Sequence, residues 1–220
     1  MAEIACTYVE DLLQKRKLRK DVQQVLLAEI PPMEREMQIS LGRRFTVKEL
    51  IRGIRLMGED RAAGPDRTIS EFFQAHARLW ARLFLLVFNE SRRRGTLPEY
   101  MLHRDIAFLF KKGDPRRLPR LLTMYRGLSL LQRPFLLLST VLAYRMRRPA
   151  SLICDSTQKA FRPGPLIGDN LSSIVDMFCY VQHSGQAGYA VAGDAIKYYD
   201  LIDPEFALDC VAAGTSCLID

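Results

Sequence analysis

Two short extended runs set among helical periodicities constrain this chain most. RDIAFLF at 104–110 is a strand candidate, with Ile106, Phe108 and Phe110 alternating. YRGLSLL at 125–131 also reads as extended, and YAVAG at 189–193 is short, apolar and partly β-branched, the pattern of a buried strand. Everything else long enough to matter follows the helical period. Val9, Leu12, Leu13, Val22, Val25 and Leu26 lie at helical spacing over 9–29, and Pro31 and Pro32 stop that helix. Thr46 and Glu49 spell a capping box ahead of Leu50, Ile51, Ile54 and Leu56. RAAGPDR at 61–67 is a turn, and a single long helix is expected from 70 to 94, ended by Gly95. Further helices are expected over 134–148, 169–182 with Asp169 or Asn170 as cap, and 204–213 opened by Pro204. The order helices, strand, helix, strand, helix gives a mixed α/β or α+β domain, helix-rich, and the α+β class is the expectation taken forward.

Composition narrows the function. A chain of 220 residues is one large domain, or one domain with an arm. It is 48% hydrophobic and 26% charged, which excludes a disordered or collagen-like chain. Cys6, Cys154, Cys179, Cys210 and Cys217 are odd in number and no pair has CxxC spacing. The start, MAEIAC, leads into a charged run rather than an apolar one, so a reduced intracellular protein is expected. His76, His103 and His183 form no zinc pattern. The longest nearly apolar run, PFLLLSTVLAY at 134–144, is too short to span a bilayer, so no membrane partner is expected. Phosphate-loop, dinucleotide and nucleophile-elbow signatures are absent from the sequence.

The formal charge is +7, and the cations cluster. KRKLRK at 15–20, Arg92–Arg94, KKGDPRRLPR at 111–120 and Arg145–Arg148 are the footprint of a polyanion partner. A solvated helix face is the other reading of 15–20. At 111–120 a lysine pair stands at a strand-to-turn junction, where ammonium groups can meet phosphate. Asp194 follows YAVAG directly, which puts a carboxylate at a strand's carboxyl end. Such a group either caps a turn or holds a divalent metal near a phosphate.

In order along the chain, these segments resemble the reverse transcriptase domain of non-long-terminal-repeat (LINE-type) retrotransposons, from about 45 to 208. AAGPD at 62–66 is similar to that family's "APGPDG", EFF at 71–73 to "EFY", and GTLPEYM at 95–101 to "G-x-LP-x-x-M". FLFKKGDP at 108–115 resembles "LIPKKGD", and MYRGLSLL at 124–131 resembles "NYRPISLL". QKAFRPGPLIGDN at 158–170 is similar to "Q-x-GF-x-PGR-x-I-x-DN", and GDAIKYYD at 193–200 to "LDxxKAFD". The resemblance implies right-hand polymerase fingers and an incomplete palm sheet over 45–220, behind a helical arm at 1–44. It implies RNA-templated DNA synthesis from deoxynucleotides on a DNA primer, with two Mg²⁺ ions. Asp194 then matches the catalytic, metal-holding carboxylate, assisted by the Ala195 carbonyl. Lys111 and Arg126 match residues that hold the incoming triphosphate, and Tyr199 the aromatic that excludes a 2′-hydroxyl. Lys112, Gln158, Phe161 and Asn170 match the template and hybrid side.

Departures stand beside these matches. Arg67 takes the place of Gly, Gly127 of Pro, Ala160 of Gly, Pro165 of Arg and Tyr198 of Ala. The family's YxDD motif does not occur in the 220 residues, so this stretch is expected to be inactive alone. A non-catalytic module for RNA or RNA–DNA hybrid, or a decayed element copy, are the alternatives. The resemblance implies presence in both nucleus and cytoplasm; no protein partner is inferred.

Overall fold

The computed structural model describes residues 19–110, 125–155, 157–159, 166–185 and 202–215, with Thr7, Glu10, Gly164, Ala187, Val191 and Gly193. Its elements run α1 (Lys20–Ala28), α2 (Arg35–Gly42), α3 (Val47–Leu56), α4 (Ser70–Ala75), α5 (Ala77–Arg94) and α6 (Glu99–Leu102). Then come β1 (Arg104–Phe110), β2 (Tyr125–Leu131), α7 (Arg133–Ile153), α8 (Ile167–Ser184) and α9 (Pro204–Thr215). A helix-rich chain with a small antiparallel sheet is α+β, as expected. Two compact units divide it: the described residues from 39 to 146, and those up to 38 together with those from 147 on.

The first unit begins on the capping box. Thr46 Oγ1 accepts from the Glu49 N–H at 3.3 Å, and Glu49 Oε2 accepts from the Thr46 N–H at 3.0 Å. From there the α3 period turns Leu50 and Ile54 inward until both are fully buried. They meet Phe84 and Phe88 of α5, Met101 of α6, and Leu137 and Val141 of α7 in one cluster. Burial of each such side chain contributes about 1.5–3 kcal/mol. A Cβ on Gly53 would lie 2.7 Å from Val141 Cγ2, so this glycine lets α7 lie close on α3.

The helix expected over 70–94 is broken at His76, whose φ of −126° and ψ of 43° leave the helical region. An unbroken helix would separate Phe73 and Phe84 by about 16 Å along its axis. Instead their ring centroids are 5.6 Å apart, and Phe73 lies 5.1 Å from Trp80. Aromatic burial outweighs the helical hydrogen bonds given up at the break. Gly95 then ends α5 in the left-handed conformation, φ 71°, as its position predicts.

In the second unit, Met33 and Met37 are buried, and the Met33 N–H donates to the Gly214 carbonyl at 2.8 Å. The short helix α2 carries no clear period, and the sequence reading omits it. The helix expected to end at 148 continues through Pro149 to Ile153; Pro149 removes one N–H without stopping the next turn. Asp169 lies inside α8, where Oδ2 accepts from the Leu166 N–H at 3.0 Å. Most side chains of α8 are exposed, Leu171, Val175 and Phe178 among them. The strand expected at 189–193 falls largely outside the described residues, as does the turn at 111–115.

Candidate nucleic-acid interface

Strands β1 and β2 pair antiparallel, from Arg104 opposite Leu131 to Phe110 opposite Tyr125. Opposed residues share a face. Arg104, Ile106, Phe108 and Phe110 therefore lie with Tyr125, Gly127, Ser129 and Leu131. On the other face Asp105, Ala107 and Leu109 lie with Arg126, Leu128 and Leu130. None of these residues belongs to the buried cluster of the unit. Ile106, Leu109, Phe110 and Leu128 are exposed, and so is Arg126. The rings of Phe110 and Tyr125 close the far end edge to face, 5.5 Å apart. The ribbon thus carries a cation, an aromatic pair and backbone within reach of solvent, a combination suited to stacking bases and pairing phosphate.

The ribbon is anchored at the Leu131 end. A Cβ on Gly64 would lie 2.3 Å from the Leu131 carbonyl oxygen, so turn and strand meet backbone to backbone. Buried Arg133, the first residue of α7, grips the same turn. Its Nη2 donates to the carbonyls of Arg61 at 2.8 Å and Ala62 at 2.7 Å, and its Nε to that of Thr68 at 3.2 Å. Two non-glycine residues of this segment lie in the left-handed region, Asp60 at φ 52° and Arg67 at φ 56°. Glu71 Oε1 holds the Asp60 N–H at 2.7 Å, and that bond, with help from the charge of Arg133, lowers the Glu71 pKa. The left-handed conformation costs a non-glycine residue about 1–2 kcal/mol. Arg67→Gly therefore raises stability by about 1 kcal/mol, read as a higher urea midpoint at unchanged slope. An unchanged midpoint would contradict that account of Arg67.

Within two of the cation clusters, some of the charge is engaged by the protein itself. Arg145 is 4% exposed and uses every donor of its guanidinium. Nε and Nη2 fork onto Glu49 at 2.9 and 3.1 Å, Nη1 donates to the carbonyls of Leu41 and Arg43, and Nη2 also to that of Arg44. The Phe45 ring lies 4.6 Å from its carbon. Burial alone would raise the Glu49 pKa; the bonds from Arg145, Thr46 and Arg43 outweigh it and bring it to about 2. On α5, Arg93 and Arg94 both bind Glu90, at 2.7 and 2.6 Å, and Arg92 donates to the Gly42 carbonyl. The sequence counts Arg145 in a polyanion footprint; burial of its side chain makes it an internal clamp instead. The signal for both buried arginines was present in the sequence, since Arg133 and Arg145 flank the apolar run 134–144.

Of the residues that the resemblance singles out, Arg126 lies on β2 opposite Leu109. Gln158 is exposed, its N–H donating to the Asp155 carbonyl at 3.1 Å, and Asn170 is exposed in the first turn of α8. These two belong to the second unit, Arg126 to the first. Lys111, Lys112, Phe161, Asp194, Ala195 and Tyr199 lie outside the described residues. Among the described residues no three His, Cys, Asp or Glu side chains gather as a metal site. No helix among them is long and apolar enough to cross a membrane.

The chain is 24% identical over 209 residues to the "Transposon TX1 uncharacterized 149 kDa protein" of Xenopus laevis. That alignment covers 95% of this chain and 16% of the length of the relative. It points to a retrotransposon-derived chain. No protein-family profile matches the chain.

Proposed function

We infer that this chain is the fingers and front palm of an RNA-directed DNA polymerase. The observation that carries the reading is Arg126. The residue that the "NYRPISLL" resemblance assigns to the triphosphate is exposed on a ribbon whose strands flank KKGDPRRLPR. The likeness to a transposon-encoded protein over nearly the whole chain supports the same reading. In it, Lys111 and Arg126 hold the incoming deoxynucleotide, while Lys112, Gln158, Phe161 and Asn170 face an RNA template and its DNA primer. Tyr199 floors the sugar. Asp194, with the Ala195 carbonyl, would hold Mg²⁺, which offsets charge on the transferring phosphoryl group. Such a site needs placed charge rather than a covalent nucleophile. Access to RNA and to chromosomal DNA places the protein in both cytoplasm and nucleus.

One observation favours a second reading, in which the stretch binds RNA or hybrid without turnover: the ribbon exposes Arg126 and carries the Phe110–Tyr125 ring pair, which suits binding by itself. Binding is testable on the chain as it stands. Filter binding to single-stranded RNA gives a line of log affinity against log salt, with slope about −0.7 per phosphate contacted. Lys111→Ala with Lys112→Ala makes that slope shallower by about 0.7 in the polymerase reading, where Lys112 alone meets the strand, and by about 1.4 in the second, where both lysines do. Undetectable or salt-insensitive binding overturns both readings.

A further inference from the structure

Among the described residues of the first unit, Arg133 is the most deeply buried cation whose bonds are all to backbone carbonyls. It is 3% exposed, and it ties residues 61, 62 and 68 to the residue two places after the end of β2. A guanidinium removed from water on neutral partners is costly unless the geometry it fixes is needed. Three further features load the same junction. Asp60 and Arg67 are held in left-handed backbone, Gly64 touches the Leu131 backbone, and the buried Ser70 Oγ and Gln132 Oε1 have no partner among the described residues. Backbone held in costly conformations by its surroundings collects where placement matters.

What the junction places is the ribbon. Nothing of β1 or β2 enters the buried cluster, so their direction is set where they meet the body of the unit. Arg126 is five residues from Leu131, about 16 Å along the strand. A swing of about 10° at the base moves it by roughly 3 Å, enough to break a hydrogen-bonded ion contact.

We propose that Arg133 is a positioning residue: by pinning the 61–68 turn to the base of the β1–β2 ribbon, it holds Arg126 in register with a nucleic-acid phosphate. This rests on the second reading above, binding of RNA or hybrid without turnover, in which Arg126 meets a strand phosphate rather than an incoming triphosphate. Arg133 itself touches no ligand; it acts through Arg126.

The test is a double-mutant cycle read in the salt slope of binding to single-stranded oligouridylate. Each protein is compared at a temperature where far-ultraviolet circular dichroism shows it folded. Wild type is expected to give a linear slope, and Arg126→Ala a slope shallower by about 0.7, one phosphate on a single strand. Arg133→Met is expected to match Arg126→Ala, and the double variant to lose nothing more, because one contact is lost either way. Arg133→Lys, whose single ammonium reaches fewer carbonyls, is expected to fall between, and it carries the test where Arg133→Met does not fold. A merely structural arginine lowers the melting temperature and leaves the slope of the folded protein unchanged; that result, or an additive double variant, overturns the proposal alone. No binding by wild type, or no effect of Arg126→Ala, overturns the nucleic-acid reading beneath it.

Discussion

Arg145→Met lowers the unfolding free energy by about 4 kcal/mol, the largest loss expected from any single side chain here. Removing one partner of a buried pair leaves the other charged and unpaired, which costs about 3–5 kcal/mol. Glu49 would be left with only Thr46 and the more exposed Arg43, and the carbonyls of Leu41, Arg43 and Arg44 would lose their donor. Arg145→Lys recovers a minor part, since an ammonium cannot fork onto a carboxylate and reach three carbonyls. Urea unfolding checks both values. The same pair predicts an acid limb. The Glu49 pKa falls from 4.5 unfolded to about 2 folded, so its stabilisation is complete above the unfolded value and is lost as pH falls through the folded one. Wild type should therefore lose about 3 kcal/mol between roughly pH 5 and pH 2 from this group. In Arg145→Met only the Thr46 and Arg43 bonds still hold the carboxyl low, and that limb flattens. An equally steep limb in the variant would assign the acid sensitivity elsewhere.

Gly64→Ala is expected to cost about 3 kcal/mol, at the upper end of overpacking changes. The added Cβ would meet the Leu131 carbonyl oxygen at 2.3 Å and its carbon at 2.6 Å. Backbone of a paired strand cannot rotate aside, so either the turn or the ribbon must move. Gly53→Ala is the control. Its Cβ meets the side-chain tips of Val141 and Leu137 at 2.7 and 2.9 Å, and those tips can repack. It should cost about half as much. Thermal melts in parallel rank the two. Equal melting temperatures for Gly64→Ala and wild type would mean that the turn and β2 do not meet as described.

Local rules were legible where one residue type answers one geometric need. Thr46 with Glu49, Gly95 at a left-handed stop, Pro204 at a helix start and the alternation of 104–110 are all of this kind. The break at His76 was not legible, because no breaker residue marks it; the reason for it is tertiary, Phe73 folding back on Trp80 and Phe84. Charge was misread for the same reason. A count of cations along the chain cannot tell Arg145, which spends all its donors internally, from Arg126, which stands exposed. Arg133 flanks the apolar run 134–144 as a lone cation, a sign of burial but not of what it holds. Its role depends on residues 61–68, about 70 positions earlier in the chain. The candidate site was legible only as a series of short resemblances, and of its residues Arg126, Gln158 and Asn170 are placed by the described structure.

Primer extension tests the polymerase reading most directly. The assay uses the polypeptide translated from the whole coding sequence that contains these residues, with an RNA template, a DNA primer and deoxynucleotides. Wild type is expected to extend the primer and Asp194→Asn not to, with unchanged thermal unfolding and unchanged salt dependence of RNA binding. Normal extension by Asp194→Asn would contradict the role given to Asp194, and no extension by wild type would contradict the polymerase reading itself.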